Sequence, residues 1–159
     1  QYKTCPFCGV ETMHKSFQED YDHLAAKKHY PILAIHPKNL APMCHTCNSK
    51  NKGEKDVLYN SDGSRKLFIY PYSQFYNVEL DFSNSIIPQT NIDFPLGSWD
   101  IRFIPNNKIT SNWDYVFNIS KRYREDYLEP NFEDWLDEFI DGLIYSNIDI
   151  NNEEDVIKG

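Results

Sequence analysis

The chain has 159 residues and a net charge of −8, and 15% of it is aromatic. That length suits one compact domain, or a small domain with an attached lobe, and it can bury a core without disulfides. The spread of aromatics excludes a disordered chain, and with no run of 18 apolar residues there is no spanning helix and no membrane partner.

The charge is uneven. Residues 1–70 carry 10 Lys and Arg against 7 Asp and Glu, whereas residues 71–159 carry 6 against 17. All five histidines fall within the first 45 residues. The front of the chain can therefore face a polyanion, and the back cannot easily do so. No segment reads as a secretory signal, which places the protein in the cytoplasm. The chain opens on Gln1 with a motif beginning at Cys5, and reads as a piece with sequence upstream.

In chain order, Thr4-Cys5-Pro6-Phe7-Cys8-Gly9 reads as a metal knuckle, with Pro6 and Gly9 supplying the tight turn. Residues 11–43 are loop-rich, with short strands expected near Tyr21-Asp22-His23 and Ile32–Ile35. A second knuckle, Met43-Cys44-His45-Thr46-Cys47, runs into a short helix that Gly53 stops. Two C-x-x-C pairs separated by 35 residues fit four thiolates on one Zn²⁺. Disulfides between the knuckles would need a secretory context, and a redox C-x-x-C would need only one pair in a βαβ setting.

Beyond residue 65 the pattern changes. Val78–Phe82 and Trp99–Phe103 alternate with period two, and Leu67–Tyr70 is a short apolar run. With Pro71, Pro88, Pro95 and Pro105 between them, these predict a small antiparallel sheet. Two helices follow. The first carries Trp113, Val116, Phe117, Ser120, Tyr123 and Tyr127, with Ser111 or Asn112 as N-cap. Pro130 divides it from the second, where Phe132, Trp135, Leu136, Phe139, Ile140, Leu143 and Ile144 form a stripe expected to pack in a core. The opposite face of that helix is acidic. The fold class is thus α+β, divided into a zinc-bearing unit over 1–60 and an acidic lobe over 61–159.

The ordered set C-P-F-C, Y-D-H, N-L-A-P-M-C-H-T-C-N over residues 5–48 resembles the HNH endonuclease family, in its subclass with a four-cysteine zinc site and Asn as the last motif residue. The resemblance covers residues 5–53, a third of the chain. It implies a zinc-stapled ββα-metal (His-Me finger) unit, followed here by the small sheet and the two C-terminal helices. It implies Cys5, Cys8, Cys44 and Cys47 on a structural zinc, and Asp22 with Asn48 on a catalytic Mg²⁺ or Mn²⁺. It implies His23 as general base and Asn39 as the residue that holds it in position.

Each implied role has a physical reason. Phosphodiester hydrolysis needs an activated water and a cation to offset charge on the phosphate and the departing oxygen. Mg²⁺ takes oxygen ligands and needs only one or two from protein. An imidazole suits proton abstraction near neutral pH. Lys50, Lys52, Lys27 and Lys28 are expected on backbone phosphates. Lys52 stands four residues after Asn48, so the two-histidine metal pair of some family members is absent. His45 is expected at the surface, and His14, His29 and His36 carry no assigned role.

The expected function is metal-dependent DNA cleavage, with RNA not excluded. The alternative is a zinc-ribbon module that binds nucleic acid or protein without catalysis. The acidic lobe is expected to dock a protein partner such as an ATPase, as HNH nucleases of bacterial anti-phage systems do; that is analogy.

Overall fold

The computed structural model describes residues 3–13, 21–70, 72, 77–87, 98–148 and 152. His14 and the expected breakers Pro71, Pro88 and Pro95 lie outside the described residues. Contacts divide the chain into two compact units, Gln1–Ser120 and Lys121–Gly159. The architecture is α+β: short antiparallel strand pairs, helical segments and a cluster of four cysteines.

In the first unit, β1 (Lys3–Thr4) pairs antiparallel with β2 (Thr12–Met13) around the first knuckle. Gly9 turns the chain at a φ of 69°, and its N–H donates to the Cys5 carbonyl at 2.9 Å. That φ is open to glycine at no steric cost. β3 (Tyr21–His23) pairs antiparallel with β4 (Leu40–Pro42), setting Asp22 opposite Ala41 and His23 opposite Leu40.

The strand expected at Ile32–Ile35 is instead a 3₁₀ turn, Pro31–Ile35, followed by a second one, Pro37–Asn39. Pro31 and Pro37 each sit in the first turn, where the fixed φ favours helical entry and the missing N–H costs nothing. Ile32 and Ile35 point outward, 83% and 88% exposed. β4 then enters the second knuckle, and a π-type helix spans Thr46–Lys52. Gly53 ends it at a φ of 49°, donating to the Asn48 carbonyl at 2.8 Å, five residues back.

β5 (Glu79–Asp81) pairs antiparallel with β6 (Arg102–Ile104), within the two alternating runs read from sequence. Leu67–Tyr70 forms no strand. α1 spans Lys108–Phe117 and is capped by Asn107, earlier than Ser111 or Asn112. The Asn107 side chain accepts from the Thr110 N–H, and the Thr110 hydroxyl accepts from the Asn107 N–H. That reciprocal box fixes the start.

The core gathers Phe7, Met13, Leu24, Ala25, Ala41, Met43, Val57, Val116 and Phe117. Phe117 stacks at a tilt on Phe7, 5.0 Å between centroids, and on Phe68 at 6.1 Å. Burying one such ring stabilises by roughly 2–3 kcal/mol. Lys55 Nζ donates to the Tyr115 and Val116 carbonyls at 2.9 and 3.1 Å, completing the C-terminus of α1. These contacts hold Phe68 and α1 against Phe7 of the first knuckle, and the first compact unit runs on to Ser120 rather than ending near residue 60.

The helical segments Ile119–Arg122 (α2), Tyr123–Leu128 (a π turn) and Glu129–Tyr145 (α3) follow one another directly. Pro130 therefore does not separate two helices as expected. It stands in the first turn of α3, where the wider π turn precedes it, and Asn131 Nδ2 donates to the Tyr127 carbonyl at 2.7 Å. The stripe expected in a core is largely open: Trp135, Phe139 and Ile144 are about half exposed, and Leu143 is buried. No helix among the described residues is long and apolar enough to cross a membrane.

Candidate functional site

The four cysteines come together from two turns held by short strands. All four are buried and unbridged, and their sulfurs lie within 4.8 Å of one another. Cys5 and Cys47 sulfurs are 3.9 Å apart, as are those of Cys8 and Cys44. A disulfide needs about 2.05 Å. A tetrahedral zinc with 2.3 Å bonds places its sulfurs about 3.8 Å apart. The Cys44 N–H points at Cys5 Sγ at 3.3 Å, and the Cys47 N–H at Cys44 Sγ at 3.4 Å, the donors a thiolate needs.

Crowding splits the proton affinities. The neighbouring Cys44 and Cys47 thiols hold Cys5 down at about 6 and Cys8 well below the ordinary thiol range. Cys47 is pushed up by Cys44, Cys5 and Cys8. Four thiols so close cannot all ionise by themselves, and a bound dication removes that conflict. Among the described residues this is the one cluster of three or more His, Cys, Asp or Glu fit to hold a metal. The donor set and spacing match a closed structural zinc site.

Asp22 and His23 are the last two residues of β3. His23 Nε2 sits 3.0 Å from the Ala34 carbonyl. A carbonyl only accepts, so in the neutral ring Nε2 carries the proton and Nδ1 the lone pair. Asn39 is 7% exposed and spends its whole amide on the same loop. Its Oδ1 accepts from the Ala25 N–H at 2.8 Å, and its Nδ2 donates to the Ala25 and Leu33 carbonyls, both at 3.1 Å. It thereby ties the turn after His23 to the segment that supplies Ala34.

Asp22 Oδ2 is 2.6 Å from Lys52 Nζ, and the Lys52 side chain is 1% exposed. Lys52 also donates to the Gly53 carbonyl at 3.2 Å. The buried position of Lys52 beside a carboxylate differs from the exposed phosphate contact expected of it. No local pattern signals this burial, because its neighbours Ser49, Lys50 and Gly53 are exposed. Asn48 stands one π turn before Lys52, on the same side of the helix. Its backbone bonds to Cys44 and Gly53 at 2.9 and 2.8 Å, and its half-buried amide has no hydrogen bond among the described residues.

Of the other expected lysines, Lys27 and Lys50 are exposed, with no ion-pair partner among the described residues. Lys28 pairs with Glu54 at the surface. His45 is exposed, as expected. His29 Nε2 meets the Glu54 carbonyl at 3.2 Å, and His36 Nδ1 accepts from the Lys38 N–H at 3.2 Å. From Leu24 to Gly53 there is no Asp or Glu, against five lysines and three histidines.

No protein-family model matches the chain, and no solved structure matches it. Protein ea31 of Escherichia phage lambda is 40% identical over 50 residues, which is 31% of this chain. The match takes in 16% of the phage protein, so the chain spans about a sixth of that relative's length.

Proposed function

We propose that the protein is a metal-dependent nuclease of the HNH type that hydrolyses DNA phosphodiester bonds. The observation that carries the reading is the state of His23. Its Nε2–H is committed to a backbone carbonyl, so Nδ1 is left to accept a proton from water. Asn39 is the positioning residue, since it braces both ends of the loop that holds that carbonyl.

Asp22 Oδ1 and the Asn48 amide oxygen are the oxygens that would hold a catalytic Mg²⁺ or Mn²⁺, which supplies charge neutralisation at the phosphate. The donors fit such an ion only weakly by themselves. Lys52 cancels the single negative charge of Asp22, and Mg²⁺ commonly completes its shell with substrate phosphates. The metal is therefore expected to bind together with DNA rather than before it. Lys52 keeps the Asp22 carboxylate in one orientation, while Lys27 and Lys50 lie exposed for the phosphate backbone.

The alternative reading, a zinc-stapled binding module without catalysis, is favoured by one observation: the Lys52 ammonium already occupies one Asp22 oxygen. Loss of plasmid nicking in His23→Ala, with zinc content and folding intact, supports the nuclease. No nicking by the parent chain with either cation supports the module, and unchanged nicking in the variant removes His23 as the base. The open apolar band of α3, set among acidic residues, suits a protein partner such as an ATPase. An anti-phage role would follow from such a pairing, and recovery of that partner from the native host tests it.

A further inference from the structure

A concave feature lies beside the loop that Asn39 braces. It is a cavity of about 390 Å³, within the range of small-molecule sites. Its walls are apolar and aromatic, chiefly Leu24, Leu33, Val57, Phe68, Ile69 and Tyr70. Leu24 and Leu33 are each one residue from the His23–Ala34 hydrogen bond. Its polar lining holds three cations, Lys38, Arg65 and Lys66, with His36 and Asn39, and no acid among them.

Two of those cations are unspent. Lys66 Nζ donates to the Asp56 carbonyl at 2.7 Å and lies over the Tyr115 ring. His36 uses Nδ1 on the Lys38 N–H. Among the described residues the Lys38 ammonium and the Arg65 guanidinium have no acidic partner, in a chain with 24 Asp and Glu against 16 Lys and Arg. The Tyr70 ring is held at the mouth by its hydroxyl, which donates to the Lys38 carbonyl at 2.9 Å. The Asn39 amide is fully used by backbone, so the cavity has few fixed groups with which to read a base edge.

An apolar, aromatic-lined slot with two free cations at its edge fits a flat ring that carries an anion. We propose that this cavity binds a nucleoside phosphate, with the base against Leu33, Phe68 and Tyr70 and the phosphate between Lys38 and Arg65. Stacking with little edge recognition makes it tolerant of base identity. The nucleotide belongs either to a nucleic-acid strand, a form that rests on the nuclease reading, or to a free mononucleotide, which does not.

The test is titration of the zinc-loaded full chain, without added divalent cation, with AMP and separately with a fluorescent deoxyadenosine hexamer. The variants are Lys38→Glu/Arg65→Glu, which reverses the edge charge, and Ile69→Trp, which fills the slot. Lys108→Glu/Lys121→Glu matches the first in net charge and serves as control. Both cavity variants are expected to weaken binding about tenfold or more, and the control much less. Losses confined to the hexamer assign the site to a strand, and losses confined to AMP assign it to a free nucleotide. Equal binding by all variants, or tighter cavity-dependent binding of a polyglutamate peptide than of either probe, overturns the proposal. A chain that binds AMP in the cavity yet cuts no DNA sinks the nuclease and leaves this site. A chain that cuts DNA with the cavity variants binding both probes normally does the reverse.

Discussion

Asn39 shows how much one buried amide can hold. Its three hydrogen bonds join residues that are otherwise free to separate. Asn39→Ala leaves the Ala25 N–H and carbonyl without partners, while the Leu33 carbonyl keeps the His36 N–H, a loss of about 2–3 kcal/mol. Urea unfolding is expected to show that loss, and Asn39→Asp is expected to fare no better, because its carboxylate faces the two carbonyls. The Lys52–Asp22 pair gives a sharper contrast. Lys52→Met strands the carboxylate beside a buried stem and is expected to destabilise by about 2–3 kcal/mol, discounted for the partial exposure of Asp22. Asp22→Asn in the same chain should restore much of that loss. Lys52→Met should also tighten Mn²⁺ binding, since the site regains its negative charge; unchanged affinity would remove Asp22 from the metal site. Tyr30 donates to Asp56 at 2.6 Å, and its hydroxyl is raised to about 12 by burial and by that carboxylate. The folded state thus keeps a proton that the unfolded chain sheds near pH 10. The stabilisation is whole below pH 10 and fades as pH rises through 12, so Tyr30→Phe should flatten the alkaline limb of a stability–pH curve. A limb of unchanged slope would count against the assignment.

At the scale of elements, the knuckles govern everything near them. Cys47 adjoins Asn48, and Met43 follows β4, the strand that pairs with Asp22 and His23. Zinc in such sites contributes roughly 10–16 kcal/mol, as much as a whole domain's stability of about 5–15. Chelation or Cys47→Ser is therefore expected to unfold residues near both knuckles, read by loss of amide protection there. Protection that survives full zinc removal would show that the strands hold themselves. The sequence made the knuckles, β3, β5 and the Gly53 stop legible, because each rests on spacing within a few residues. It did not reveal the 3₁₀ turn at Pro31–Ile35, since an apolar run of four reads equally as a strand. The passage of helix through Pro130 was hidden for a similar reason: the preceding π turn depends on backbone widening, which no residue type announces.

Across the whole molecule, charge and packing divide the chain differently. The composition shift near residue 65 pointed to a boundary there, yet Phe7, Phe68 and Phe117 share one core. Long-range ring contacts of this kind have no local pattern. The candidate site was legible in part. The four cysteines meet as their spacing implied, and Asn39 braces the loop after His23, while the catalytic roles of Asp22, His23 and Asn39 remain proposals. The burial of Lys52 and the cavity edged by Lys38 and Arg65 arise from folding distant segments together, so sequence spacing could not show them.

The central claim is that His23 Nδ1 accepts a proton from water attacking a phosphodiester. A time course of supercoiled plasmid with zinc-loaded chain, Mg²⁺ or Mn²⁺, tests it most directly when His23→Ala is run beside the parent at equal zinc content. The account predicts that the parent converts plasmid to nicked or linear form, and that the variant is slowed by a factor of about 10²–10⁴, the usual contribution of a general base. Equal rates for the two chains, or intact plasmid with the parent in both cations, would contradict it.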